Sequence, residues 1–377
     1  MNIITRTTDA ITNAYDLENL HIIKNFPILM SCVSHDKDVD VVSDLIWQIS
    51  PSSGLIQLKE LIPLDILYRE QHSGTTGDLW LKHHQSFSKF LQKYKPKAVL
   101  EIGGGHGILS TDYVQYDSIP WTIVEPSPAP VDGCPAKIIV ALFDEHFEFQ
   151  GDFDTIVHSH VFEHLYQPNA FVKHLANIMK DGNQLIFTLP NMEKMLKNNQ
   201  TNCINFEHTV FLTEPYVEYL LAKHGFRIIE KEYFTECHSI FYATVKDSTV
   251  VTIELSKELY NTNKQIYIDY IDYHNKLIND LNNKVQEIDG PVYLFGAHIF
   301  SQYLLVCGLD GSKITSILDN DPKKQSKRLY GTDLKVESPI LLKDIKNPVV
   351  ILKAGFYNEE IKKDILSNIN AGTIFLE

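Results

Sequence analysis

The stretch VLEIGGGHG, residues 99 to 107, decides the fold. Four β-type residues, Val99 to Ile102, run into glycines at 103, 104, 105 and 107, and a helix-like segment follows. An apolar strand that breaks on glycine before a helix marks the first turn of a parallel α/β sheet. Glycine lets that turn be tight and lets main chain approach a ligand where a Cβ would collide. The pattern Glu-x-Gly-x-Gly-x-Gly differs from the dinucleotide Gly-x-Gly-x-x-Gly, and no Lys-Ser/Thr follows to hold a phosphate. Twenty-four positions after Glu101, Glu125 ends the next apolar strand, WTIVE. An acid at a second strand's tip is placed to accept both hydroxyls of a ribose.

Outward from this turn, β-type runs alternate with helix-like ones: AVLEIG, WTIVEP, KIIVAL, FDTIVHS, NQLIFTLP, FRIIEKEYF and SIFYATV. This alternation predicts a Rossmann-like α/β domain over residues 93–250. A small N-terminal domain is expected over 1–92. Ile266, Tyr270, Leu277, Leu281 and Ile288 form one apolar helical stripe that stops at Gly290-Pro291. The strands PVYLFGA, ITSILDND, PVVILKAG and GTIFLE then predict a second Rossmann-like unit within 251–377. Its FGAHIF turn has only Gly296, so no bound dinucleotide is expected there.

The 377 residues carry 48 acidic and 34 basic side chains, a formal charge of −14, with 44% apolar residues. That composition is globular, which excludes disorder as the main state. The acidic balance without a Lys/Arg cluster speaks against nucleic-acid or anionic-membrane partners. No apolar run reaches the roughly 18 residues of a membrane helix, and the N-terminus lacks a signal-peptide profile. The five cysteines stand apart from one another in sequence, giving neither a disulfide framework nor a zinc ribbon. A bacterial cytoplasm is the expected setting, with a monomer or a homodimer as the expected state.

The glycine turn and Glu125 resemble motifs I and II of class I S-adenosylmethionine (SAM) methyltransferases. The resemblance implies SAM as cofactor, with Glu101, Gly103, Gly104, Gly105 and Gly107 under its methionine end and Glu125 on its ribose. ALFDE, residues 141–145, occupies the place where that family contacts adenine, which implicates Phe143 and Asp144. FDTIVHSHVFEHL, residues 153–165, resembles the fourth strand and the loop facing the reaction centre. This adds His160 to the cofactor side.

Three further segments resemble sugar C-methyltransferases, which act on nucleotide-linked 4-keto-deoxysugars in deoxysugar biosynthesis. They are SGLIQLKELIPLDILY (53–68), NFEHTVFLTEPYVEYLLAKHGF (205–226) and LDNDPKKQSKRLYGTDLKV (318–336). Methylating carbon beside a ketone needs a base over that carbon and donors for the developing enolate oxygen. It also needs the donor methyl held in line. The resemblance implies His208 as base, Glu207 orienting it or holding a sugar hydroxyl, and Tyr68 and His164 as donors to the oxygen. Methyl transfer to oxygen or nitrogen of a related sugar, with His208 as base, is the alternative within enzymes. A SAM-binding scaffold without turnover is the alternative outside them. His72 is expected on the substrate side, as are Lys353, Tyr357 and Asn358, which follow a strand where open α/β sheets bind ligands.

Where that family carries two Cys-x-x-Cys zinc knuckles, this chain keeps only Cys32, so residues 46–58 are expected to hold by packing alone. Cys237-His238-Ser239 stands in place of a Gly-Gly-Ser turn, Ser326 in place of Gly, and Tyr330 in place of Pro. His72, His83, His84, His158, His160, His164 and His208 are candidates to meet in one cleft. No metal is expected, since their spacing matches no familiar ligand motif.

Overall fold

The computed structural model describes residues 3–68, 77–235 and 237–377. They divide into two compact units. The first takes residues up to 18 together with 48–195 and 207–263; the second takes 19–47, 196–206 and 264–377. This division does not follow boundaries at 92 and 250, because the first ninety-two residues are shared between the units.

The first unit is built on seven strands: β1 (Val99–Ile102), β2 (Trp121–Val124), β3 (Lys137–Ile139), β4 (Thr155–Ser159), β5 (Gln184–Pro190), β6 (Phe226–Phe234) and β7 (Ser239–Lys246). Their order is β6-β7-β5-β4-β1-β2-β3. All neighbours pair in parallel except β7, which runs antiparallel to both β5 and β6. This is the expected Rossmann-like α/β architecture. Strand order reverses between β1 and β4, and at such a switch point the strand tips open a crevice for ligand.

Every residue of β1 is buried, as a central strand with both faces covered requires. Leu100 and Ile102 face one core with Ile156, Phe162, Phe171 and Phe187. Val99 faces the other with Val157, Ile186 and Phe241. Helix α1 (Asp78–Gln92) buries His83, Phe87, Ser88, Phe90 and Leu91, one stripe at helical spacing. Phe87 and Phe90 are at most 1% exposed, each worth about 1.5–3 kcal/mol of burial. Helix α2 (Ile108–Tyr113) leaves the glycine turn, α3 (Pro168–Ile178) begins on a proline, and α4 (Glu214–Lys223) precedes β6.

The second unit contains most of helix α5 (Leu259–Gln286), which ends before Gly290-Pro291 and buries Tyr267, Tyr270, His274, Leu277 and Leu281 on one face. Helix α6 (Ile299–Val306) follows. Strands β8 (Val292–Phe295), β9 (Ile314–Leu318), β10 (Val336–Glu337), β11 (Val349–Leu352) and β12 (Ile374–Leu376) form a parallel sheet in the order β10-β9-β8-β11-β12. Residues 19–47 complete it: Cys32 and Val33 pair antiparallel with Leu329 and Arg328. Trp47 packs on Tyr267 with ring centroids 6.3 Å apart, and Asp40 takes both terminal nitrogens of Arg328 at 2.6 and 2.7 Å. Among the described residues, no helix is long and apolar enough to cross a membrane.

Candidate active site

The turn after β1 begins as main chain. Gly103, Gly105 and Gly107 have φ of 72°, 34° and 67°, the left-handed region where a side chain is strained. Gly107 also caps α2, and a Cβ there would lie 2.3 Å from Cys134 Sγ. Beneath the turn, Glu101 is 3% exposed and accepts from Trp121 Nε1 at 2.7 Å. Burial pushes its carboxyl up to about 7, against the indole bond, with Glu125 adding to the rise. Glu125, at the tip of β2, accepts from the amides of Ser127 at 3.0 Å and Gly105 at 3.2 Å. A Cβ on Gly105 would meet only Glu125 Oε2, at 4.0 Å. The space beside Gly105 is therefore open and bordered by a carboxylate, which suits a nucleoside with ribose hydroxyls.

The second half of the site forms at the tip of β4. Glu163, 1% exposed, sits three residues after His160 and one before His164. His160 Nδ1 lies 3.1 Å from Glu163 Oε1, and His164 Nε2 lies 3.7 Å from the same oxygen. Burial alone would raise this carboxyl, but the His160 hydrogen bond and the fields of His164, His160 and His208 hold it at about 2. Its Oε2 has no hydrogen-bond partner among the described residues. His164 Nδ1 faces the Glu207 carbonyl at 3.1 Å, so that nitrogen carries the proton and donates. The His164 and His208 rings stand 5.3 Å apart. Tyr68 is kept well above the ordinary phenol value by burial first, then by Glu207, Tyr166, Glu163 and Glu125. It is thus a proton donor at neutral pH, and it feels carboxylates from both halves of the site.

Arg6 locks these loops together, and nothing in its local sequence signals that role. It is 6% exposed, and its guanidinium donates to the carbonyls of Thr209 at 2.6 Å, Tyr166 at 2.7 Å and Leu165 at 3.2 Å, and to Thr209 Oγ1 at 3.1 Å. Burial lowers its pKa to about 10, still cationic at neutral pH.

The remaining candidates fall elsewhere. Phe143, 8% exposed, packs in the core against Phe147, Phe171 and His174. Asp144 begins a turn, not a helix, and accepts from the His146 amide at 2.9 Å. His158 turns into the core, stacked on Phe187 at 4.8 Å, with its pKa lowered to about 3 by burial. It does not join the other histidines. His83 and His160 meet each other, and His238 with them; His164 meets His208 instead. Lys353, Tyr357 and Asn358 belong to the second unit. Lys353 Nζ reaches Tyr273 Oη at 3.4 Å, and Tyr357 packs edge-on to Phe300. Asn358 accepts from the Ala354 amide at 2.8 Å and donates to Glu377 at 3.2 Å, so its amide closes a local turn. His72 lies outside the described residues.

Residues 79–231 match a family model described as a methyltransferase domain. This part of the chain is similar to methyltransferase domains, and it includes most of the Rossmann-like sheet. Comparison with curated proteins finds none that matches. Solved structures similar to the domain include the 1,6-didemethyltoxoflavin N1-methyltransferase of Burkholderia thailandensis, with 13% identity and a TM-score of 0.37, covering 45% of this chain and 82% of that one. The magnesium protoporphyrin IX methyltransferase of Synechocystis has 17% identity and a TM-score of 0.36, covering 47% of this chain and 89% of that one. Human N-acetylserotonin methyltransferase has 12% identity and a TM-score of 0.38, covering 45% and 53%. Likenesses of this size bear on no substrate.

Proposed function

We propose that the methyltransferase domain methylates a carbon beside the ketone of a nucleotide-linked 4-keto-deoxysugar. The observation that carries this reading is the convergence of Tyr68, Glu163, His164, Glu207 and His208 at one end of the crevice, with the glycine turn and Glu125 at the other. SAM, when bound, supplies an electrophilic methyl group. Gly103, Gly104, Gly105 and Gly107 offer main chain to its methionine end, and Glu125 accepts from its ribose.

The base is His208. A neutral imidazole removes a proton near pH 7, and the buried carboxylate of Glu163 stabilises the imidazolium that results. The electrons of the broken C–H bond move toward the keto oxygen. Tyr68, protonated at neutral pH, supplies a hydrogen bond to the enolate oxygen, and His164 adds one from Nε2 in its imidazolium form, since Nδ1–H is held by the Glu207 carbonyl. Glu207 orients His208 or holds a neighbouring sugar hydroxyl.

Incubating the enzyme with a 4-keto sugar nucleotide in heavy water without SAM tests the base. Wild-type protein should wash deuterium into the position beside the ketone, and His208→Asn should not, while binding adenosyl-homocysteine normally. Methyl transfer without any exchange would assign the acceptor to oxygen or nitrogen. Binding of adenosyl-homocysteine with neither exchange nor transfer would leave a scaffold without turnover.

A further inference from the structure

We propose that His83, His160 and His238 form a binding site for one divalent ion of the zinc class. The three histidines come from α1, the tip of β4 and the turn between β6 and β7, each separated from the next by more than seventy residues. Each offers a ring nitrogen, and the three nitrogens lie within 4.8 Å of one another. Around zinc, nitrogens at about 2.0–2.1 Å stand about 3.4 Å apart. The nitrogens would therefore close by at most about 1.4 Å, a side-chain adjustment.

Three features of the cluster point to an ion instead of simple packing. His83 is fully buried, and its Nδ1 has no hydrogen-bond partner among the described residues; Nδ1 of the neighbouring His84 has none either. Leaving a buried imidazole nitrogen unpaired costs stability, and a metal would take up such a lone pair. The second is orientation. Glu163 Oε1 takes the Nδ1 proton of His160 at 3.1 Å, so Nε2 carries the lone pair; Ser239 Oγ meets that nitrogen at 3.0 Å and His238 Nδ1 at 2.6 Å, and this hydroxyl would give way to the ion. A carboxylate behind a histidine is the usual outer support of a zinc ligand. The third is the enclosure. Trp80 stands edge-on to all three rings at 4.9–5.2 Å, and Phe234 and Phe241 close on His83. Water has little access to nitrogens held this way.

The donor set selects the ion. Three neutral imidazoles suit zinc, cobalt or nickel and fit magnesium or calcium poorly, since those require oxygen. Three protein ligands leave a fourth position for water or a ligand oxygen. The inference shares Glu163 with the sugar-methylation reading but does not rest on it, and its test reads the ion directly.

Tag-free protein stripped with a chelator is titrated with Zn²⁺ by calorimetry and with Co²⁺ by visible absorption. One equivalent should bind. His238→Asn should weaken binding on the order of 100-fold, and Glu163→Gln by about 10–100-fold. His208→Asn should leave it unchanged. Absence of stoichiometric binding, or binding indifferent to His238→Asn, overturns the site. Loss of the ion in His208→Asn also overturns it and moves the ion to Glu163, His164 and His208, which likewise group within 4.8 Å. Should the His238 variant fail to fold, X-ray absorption of zinc-loaded wild-type protein counts the imidazole ligands: three are expected here, whereas the Glu163, His164 and His208 group would supply only two. Fewer than three imidazoles would refute the assignment.

Discussion

Glu101 and Glu163 are both buried carboxyls, yet their surroundings drive them in opposite directions. Glu101 has only an indole N–H against its burial and rises to about 7 from 4.5. A carboxyl raised by folding favours the fold while protonated. Its contribution is therefore complete below pH 4.5 and is lost as pH climbs through about 7. Glu101→Gln still offers an oxygen to Trp121, so it should raise the melting temperature of ligand-free protein at pH 8 and leave it unchanged near pH 4. Equal changes at both values would mean another group titrates. Glu163, held at about 2, stabilises the fold above pH 4.5 and loses that contribution as pH falls toward 2. Glu125 belongs with the ligand instead. Glu125→Ala should weaken adenosyl-homocysteine by about 1–3 kcal/mol in calorimetry, the scale of a lost charge-assisted hydrogen bond; unchanged affinity would remove it from the ribose.

At the scale of elements, the two loops that carry His164 and His208 are held by an arginine from the far N-terminus. Arg6→Met keeps the apolar stem but strands three carbonyls and a hydroxyl. Urea unfolding should show a loss of about 2–4 kcal/mol, and turnover should fall while donor affinity holds. A loss under about 0.5 kcal/mol would show that the loops stand without it. This clamp was not legible in the sequence, because Arg6 bonds mostly to main-chain carbonyls, and carbonyls have no residue signature. The glycine turn and Glu125 were legible, since each lies at the end of a strand and their distance is set by one strand-helix-strand unit. The Glu163–His164 pair was visible as a pair of letters but not as a hub. Its partners depend on which way the loop after β4 bends, with His160 at φ 53°. His238 went unread because its approach to His83 and His160 needs the antiparallel placement of β7 between β5 and β6.

For the whole molecule, the telling feature is that residues 19–47 belong with residues 264–377. Strand pairing joins Cys32 and Val33 to Leu329 and Arg328, and Asp40, almost wholly buried, binds Arg328 in two-pronged fashion and takes the Gly331 amide at 2.7 Å. Arg328→Ala would leave that carboxylate buried and unpaired, at a cost of about 3–5 kcal/mol. Calorimetry should register it as a lowered transition for the second unit, with adenosyl-homocysteine binding by the first unit unchanged; an equal loss of binding would contradict the division. The same arrangement governs the order of events during translation. Phe26 and Trp47, both fully buried in the finished protein, leave the ribosome 180 residues ahead of Phe206 and 220 ahead of Tyr267, the rings they pack on. At 5–20 residues per second that is a wait on the order of 10–40 s, long enough for a nascent chain to need a chaperone over an early apolar segment that nothing yet made can cover.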